Sequence, residues 1–251
     1  RDRLQASTLD LNGTIEVVAG TLSIDPFVTG FFDEQSDTFV TLSEGTATYG
    51  SSSSLIGGDA GIQLSGGRHQ FTAGATSTGA LQVGAQTFDG DLSIVGTSTL
   101  SGVMGGTGQT TIAQGADVTI NGFFRLEGDR VFQNDGTLGL LNEFDSIQLQ
   151  DSAQLQIGST GTLQLDGGQS VNTGTRFDTN GDPINPNTRI VNDGRIEKLD
   201  TAERGSTFGS LSASTLDLNG TIEVVAGTLN IGALNTGFVD EGGFFVTTAE
   251  G

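Results

Sequence analysis

Seventeen consecutive residues occur twice in this 251-residue chain, and the repeat constrains the fold more than any other feature. The segment from Ala6 to Leu22 reads ASTLDLNGTIEVVAGTL, and the same letters run from Ala213 to Leu229, an offset of 207 residues. Tandem units that stack on their neighbours produce this kind of long period. We therefore interpret residues 1–207 as one full repeat and residues 208–251 as the start of the next, continuous with the same structure.

A shorter pattern also recurs within the repeat, in which turn residues are followed by segments of alternating apolar and polar residues. Asn and Gly accept positive φ and turn the chain within two residues, and period-2 alternation places one face of a strand inward. No window has the 3.6-residue period of an amphipathic helix. The chain therefore predicts short strands joined by sharp turns, in a sandwich, a barrel or a stacked solenoid. The turns begin at Asn12, Asn121, Asn134, Asn192 and Asn219.

Composition favours the solenoid among these three arrangements. Hydrophobic residues make up only 34% of the chain, which contains 40 glycines. Stacked coils need a thin core and place like residues above one another, so that aliphatic and amide side chains form ladders. We predict an all-β fold, a right-handed parallel β-helix (β-solenoid) with roughly 20–25 residues per coil and about ten to twelve coils.

Several glycine-led motifs resemble a known class of repeat. The run Gly66-Gly67-Arg68-His69-Gln70-Phe71, the run Gly79-Ala80-Leu81-Gln82-Val83 and the repeated Asn-Asp-Gly-x-Leu/Ile are similar to the β-helical repeats of large bacterial surface proteins. That class includes filamentous-haemagglutinin-like adhesins, autotransporter passengers and giant extracellular repeat proteins. The resemblance implies export and a structural or adhesive role, and it brings no catalytic residues to transfer.

Charge and residue types argue against several classes of function. Ten Lys and Arg against thirty Asp and Glu give a net charge of −20, which opposes nucleic-acid phosphates and anionic membranes. The chain has no cysteine for disulfides or thiolate metal sites. No apolar stretch approaches the length of a membrane span, so we expect no membrane insertion by this segment.

A segment near residues 176–188 is predicted to project from the coils as a loop. It contains Pro183 and Pro186, and proline does not fit an interior strand ladder. Oxygen-bearing residues stand at positions 1, 3 and 5 of a calcium-loop pattern, but position 12 is Arg189 instead of glutamate. A polar turn and a weak calcium site both remain open here. The candidate calcium ligands are Asp178, Asn180 and Asp182.

Three phenylalanine doublets are candidates for lateral contacts with other molecules. Successive side chains of a strand point to opposite faces, so one ring of each doublet should face outward unless a loop covers it. The doublets are Phe31-Phe32, Phe123-Phe124 and Phe244-Phe245.

Candidates for catalysis are weak. A polysaccharide-cleaving groove needs carboxylates that converge on the substrate. The acidic residues of this chain are candidates only because they are carboxylates, since no sequence pattern brings them together. The single histidine, His69, is interpreted as a surface or ladder residue and not as a base. The acidic residues considered are Asp33, Glu34, Glu143, Asp145, Asp151 and Asp166.

We expect a non-catalytic, structural segment of an exported bacterial surface fibre or filament, extracellular, serving as stalk, sheath or matrix rod. Its partners would be other copies or repeats of itself, end to end and laterally, and it would support adhesion or cell-surface assembly. The first alternative is an adhesin passenger that binds a glycan or a protein through loops. The second is a polysaccharide-active β-helix enzyme. Calcium is the one cofactor considered, and no nucleic-acid partner is expected.

Overall fold

Short alternating segments joined by Gly- or Asn-containing turns form most regular elements of the described residues. One strand, Arg68–Gly106, instead continues through several glycines with positive φ. The turn predicted at Asn121 also lies within a continuous strand, Asp117–Leu126. The computed structural model describes residues 2–18, 20–26, 29–33, 38–43, 45–57, 61–174, 176–177, 183–184, 187–199 and 208–233. Within these ranges the chain forms 26 strands and no helix. The all-β prediction is confirmed.

The strands, in chain order, are β1 (Asp2–Ala6), β2 (Thr8–Leu11), β3 (Thr14–Val17), β4 (Leu22–Pro26), β5 (Thr29–Asp33), β6 (Thr38–Ser43), β7 (Thr46–Tyr49), β8 (Ser54–Gly57), β9 (Ile62–Leu64), β10 (Arg68–Gly106), β11 (Gln109–Ile112), β12 (Asp117–Leu126), β13 (Val131–Asn134), β14 (Thr137–Leu140), β15 (Ser146–Leu149), β16 (Gln154–Ile157), β17 (Thr162–Asp166), β18 (Ser170–Thr173), β19 (Arg176–Phe177), β20 (Pro183–Ile184), β21 (Arg189–Asn192), β22 (Arg195–Leu199), β23 (Phe208–Ala213), β24 (Thr215–Leu218), β25 (Thr221–Val224) and β26 (Thr228–Ala233).

Parallel pairing between successive coils produces a three-sided solenoid. On one side β2 pairs with β7, and β7 pairs with the first part of β10. Further along the same side, a later part of β10 is followed by β11, β13, β16, β21 and β24, each paired with the next. A second side ends in β14, β17, β22 and β25, and a third in β15, β18, β23 and β26. A coil takes about 22 residues, within the predicted length, and the stack contains about 8 coils.

The described residues form fewer coils than the predicted ten to twelve, in part because two segments leave the stack. β5 and β6 form an antiparallel pair between β4 and β7, with Phe32 opposite Phe39. β19 and β20 form a second antiparallel pair between β18 and β21, with Arg176 opposite Ile184. Neither pair is hydrogen-bonded to the parallel sheet. The second antiparallel pair lies within the segment near 176–188, which the two prolines predict to project from the coils.

The core is a set of vertical aliphatic ladders inside the coils. On the third side Ile147, Val171, Leu211 and Ile231 follow one another in register, one per coil. The first three are buried, whereas Ile231, in the last coil, is only partly buried. Each fully buried aliphatic side chain contributes about 1.5–3 kcal/mol relative to exposure. Such ladders run the length of the stack and explain how 34% hydrophobic residues suffice for a core.

The two copies of the seventeen-residue segment occupy corresponding strands at the two ends of the stack. β2 and β3 lie in the first copy, and β24 and β25 lie at the same positions of the second. Their surroundings also match, since Leu4 pairs with Ile24 and Leu211, 207 residues later, pairs with Ile231. The sequence offset therefore corresponds to a whole number of coils.

Candidate functional site: the open edges of the coil stack

The first copy of the repeated segment lies at an open edge of the sheet. β1, β2 and β3 pair with β4, β7 and β8 on one side, and the described residues place no coil on their other side. We call this row of strands the lower edge. Its inward residues Leu9, Leu11 and Ile15 are only partly buried, because a neighbour covers them from one direction alone.

The second copy lies at the opposite open edge, formed by β24, β25 and β26, which we call the upper edge. These strands pair with β21, β22 and β23 beneath them, and the described residues place no coil above. Leu218, Ile222 and Leu229 are partly buried in the same way. Val224 is 48% exposed, whereas its counterpart Val17, which has a coil on its other side, is 8% exposed.

The contacts beneath the second copy show what this segment binds when a lower neighbour is present. The Arg189 guanidinium lies 2.5 Å from the Asp217 carboxylate, and Arg195 pairs with Glu223. The Arg195 guanidinium is also 2.7 Å from the carboxylate of Glu197 on its own strand. Exposed ion pairs of this kind contribute about 0–1 kcal/mol each, so their main effect is on register.

Backbone amides of the second copy donate downward to the same neighbour. The N–H groups of Thr215 and Thr221 donate to the carbonyls of Thr188 and Gly194, at 3.0 and 2.8 Å. Those of Asn219 and Val225 donate to Asn192 and Lys198, both at 2.9 Å. The corresponding amides at the lower edge belong to Thr8, Thr14, Asn12 and Val18.

The side chain of His69 lies inside the solenoid and not on its surface, which corrects one of the two positions considered for it. It is fully buried, and its ring stacks on Phe88 with centroids 5.2 Å apart. Tyr49 Oη donates to His69 Nδ1 at 2.8 Å, and His69 Nε2 donates to the Ser65 carbonyl at 3.3 Å. Burial lowers the pKa of His69 to about 4, although hydrogen bonds to the Ser65 and Gly66 backbone oppose this shift. His69 is therefore part of an internal aromatic stack.

A buried arginine forms a second polar feature that sequence patterns did not reveal. Arg130 donates to the carbonyls of Phe88 and Thr107 at 3.0 and 2.8 Å, and to Thr110 Oγ1 at 2.8 Å. Phe88 lies 42 residues earlier and Thr107 lies 23 residues earlier, so one guanidinium links successive coils. Burial lowers the pKa of Arg130 to about 10, which leaves it charged at neutral pH. Its role is structural.

Two of the acidic residues considered for catalysis serve as backbone acceptors. The Asp145 carboxylate accepts the N–H groups of Gly122, Leu141 and Asn142 at 2.7, 3.0 and 2.8 Å. Asp151 accepts the N–H of Gly128 at 3.1 Å. Within the described ranges no three His, Cys, Asp or Glu side chains come together as a metal-binding group.

Of the phenylalanine doublets, one is described in full. Phe123 is 47% exposed, whereas Phe124 is completely buried, as strand alternation requires. The Phe124 ring is therefore not available for a lateral contact, and Phe123 stays the candidate of this doublet. The backbones of Phe31 and Phe32 lie on β5, but their side chains are outside the description. Phe244 and Phe245 lie outside the described residues, as do Asp178, Asn180 and Asp182, so the lateral contact and the calcium site stay predictions there.

Single phenylalanines that the doublet rule missed are more exposed than Phe123. Phe144 is 81% exposed and Phe208 is 59% exposed. Each lies two residues before a serine of one ladder, in which Ser146, Ser170 and Ser210 follow one another in register. Phe144 and Phe208 therefore lie at the same corner of the solenoid, on coils about 10 Å apart along the axis.

Comparison of the chain with protein-family models, curated proteins and solved structures finds no significant match. Among the described residues there is no helix long and apolar enough to cross a membrane.

Proposed function

We propose that this chain is a structural, non-catalytic segment of an exported bacterial surface fibre, built from tandem β-solenoid repeats. One observation carries the proposal. The seventeen-residue segment recurs with the same strands and register after about eight coils, so the end of one repeat is ready to continue as the beginning of another. The partly buried aliphatic residues at both open edges support it, since a further coil would complete their burial.

The mechanical role follows from continuous parallel hydrogen bonding along the axis. Strands of neighbouring coils lie about 4.8 Å apart, so a repeat of about eight coils advances the fibre by about 38 Å. Each repeat adds many negative charges, which keep a long rod soluble and oppose uncontrolled lateral aggregation. Lateral contacts, where they form, would use exposed rings such as Phe123, Phe144 and Phe208.

The bacterial surface location rests on the resemblance of the glycine-led motifs to the repeats of surface adhesins and autotransporter passengers. Within that class, a rod of this kind serves as stalk, sheath or matrix filament and supports adhesion or assembly. The net charge of −20 disfavours nucleic acid and anionic membranes as partners.

A second candidate is an adhesin passenger that binds a glycan or a protein through elements outside the coils. The antiparallel pairs β5–β6 and β19–β20 favour it, because both leave the parallel sheet. Such excursions from a rigid scaffold are where binding residues commonly lie.

Imaging and surface labelling together test the proposed function. Antibodies raised against the folded chain should label intact, unpermeabilised producing cells, and a deletion strain provides the control. Electron micrographs of the labelled material should show filaments with an axial repeat of about 38 Å. Label confined to permeabilised cells, or discrete globular particles in place of filaments, would refute the structural role. A glycan or protein ligand lost on deletion of β5–β6 or β19–β20 would favour the adhesin alternative.

A further inference from the structure

The lower edge presents two carboxylates whose counterparts are ion-paired elsewhere in the chain. Asp10 and Glu16 are exposed on β2 and β3, and they are the residues that correspond to Asp217 and Glu223 in the second copy. In the second copy both carboxylates contact arginines of the coil beneath. The seventeen residues are identical in the two copies, so the lower edge has the same binding groups, and among the described residues no arginine-bearing coil lies beneath them.

Resting on the proposed function, we propose that the lower edge is a register-selective docking site for a coil with the sequence of residues 188–199, supplied by another repeat. In that position Arg189 of the incoming coil pairs with Asp10, and Arg195 pairs with Glu16. The carbonyls of its residues 188, 192, 194 and 198 accept the N–H groups of Thr8, Asn12, Thr14 and Val18.

The geometry of this junction is already present within the chain. Pairing of β21 with β24 sets Arg189 opposite Thr215, and pairing of β22 with β25 sets Arg195 opposite Thr221. The proposed docking repeats these ladders with Thr8 and Thr14 as the partners. The proposed junction therefore repeats the interface between β21–β22 and β24–β25, with the same backbone donors and the same apolar residues.

The same charges disfavour the simplest alternative, which is stacking of one chain end on the end of an identical chain. Aligning the identical sequences of the lower and upper edges would place Asp10 against Asp217 and Glu16 against Glu223. Like charges directly opposite each other on adjacent strands are destabilising. The carboxylates thus select an arginine-bearing coil and reject a copy of the upper edge.

An extended chain tests the proposal directly. Residues 188–207 are added immediately before Arg1, because Arg1 corresponds to position 208 in the repeat. Amide hydrogen exchange is then followed at Thr8, Asn12, Thr14 and Val18 in the extended and original chains at pH 7. We expect exchange of these amides to slow at least tenfold in the extended chain.

The matched control carries Arg189→Glu and Arg195→Glu in the added segment only. This extension should leave the four amides exchanging nearly as fast as in the original chain. Combining it with Asp10→Arg and Glu16→Arg should restore protection, because the ion pairs return with opposite polarity. Rescue separates charge pairing from any failure of the altered segment to form strands.

The outcomes distinguish this inference from the proposed function. Equal protection by the arginine and glutamate extensions would overturn charge-selected docking while leaving repeat stacking intact. Absence of protection by every extension would overturn the docking site and also remove support for continuation of the rod. End-to-end oligomers of the original chain in sedimentation velocity at pH 7 would overturn the rejection of identical ends.

Discussion

Burial of the imidazole of His69 makes the stability of the solenoid depend on pH. The folded protein holds the imidazole neutral, with a pKa of about 4, against 6.5 for an unperturbed histidine. The unfolded chain therefore takes up the proton first as pH falls. The stabilisation is complete above about pH 6.5 and is lost progressively as pH falls towards 4.

The magnitude follows from the size of the shift. A difference of about 2.5 pKa units corresponds to a maximum of about 3 kcal/mol. Because the folded-state pKa lies near 4, about 2.5 kcal/mol of this is already lost at pH 4.5. That amount is a large fraction of the 5–15 kcal/mol stability typical of a domain.

Two measurements test the reasoning. Because His69 is the only histidine, its ring protons give a single NMR titration, whose midpoint should lie near pH 4. Urea unfolding between pH 7.5 and 4.5, compared with the non-titrating variant His69→Gln, should show a smaller pH-dependent loss of stability in the variant by about 2.5 kcal/mol. Both proteins contain the same carboxylates, so the contribution of the carboxylates to the pH dependence of stability cancels in the difference. An NMR midpoint near 6.5, or parallel pH profiles for the two proteins, would refute the buried, neutral state of the imidazole.

Two further predictions concern groups that link one coil to the next. Arg130→Met leaves the Thr107 carbonyl without its buried side-chain donor, and the Phe88 carbonyl keeps only the N–H of Thr107. We expect urea unfolding to show a loss of about 3 kcal/mol. An unchanged midpoint would contradict the linking role. Gly79→Ala places a Cβ at positive φ where it would overlap the backbone of the preceding coil, so we expect a loss of at least about 2 kcal/mol. Its control is Gly13→Ala, where no atom lies within 4 Å, and a similar loss in both variants would show that the clash is not the cause.

Much of the architecture could be predicted from local patterns. The turn beginning at Asn134 separates β13 from β14, and the turn at Asn192 separates β21 from β22, as the Asn-Asp-Gly motifs indicate. Alternation along each strand then separates inward from outward residues, as Phe123 and Phe124 demonstrate. These features depend on φ preferences and on a two-residue period, and both are properties of neighbouring residues.

The candidate site could be predicted only in outline. The repeat indicated that the chain ends would meet other repeats, but the pairing of Arg189 with Asp217 depends on which residues of coils 26 residues apart come into register. A shift of one residue would turn every side chain of a strand to the other face. The exposed rings of Phe144 and Phe208 were missed because they are single residues, and their common corner exists only once the coils are stacked.

The sequence by itself determined that this chain forms strands joined by sharp turns and that seventeen residues recur at an offset of 207. Only the tertiary structure decided that Arg130 and His69 lie inside, because their partners belong to coils about 20 to 40 residues distant. A charged or polar side chain is excluded from a core by its hydration unless hydrogen-bond partners replace water. In this solenoid those partners are a tyrosine hydroxyl and carbonyls that stacking brings together, so their effect could not be read from local sequence.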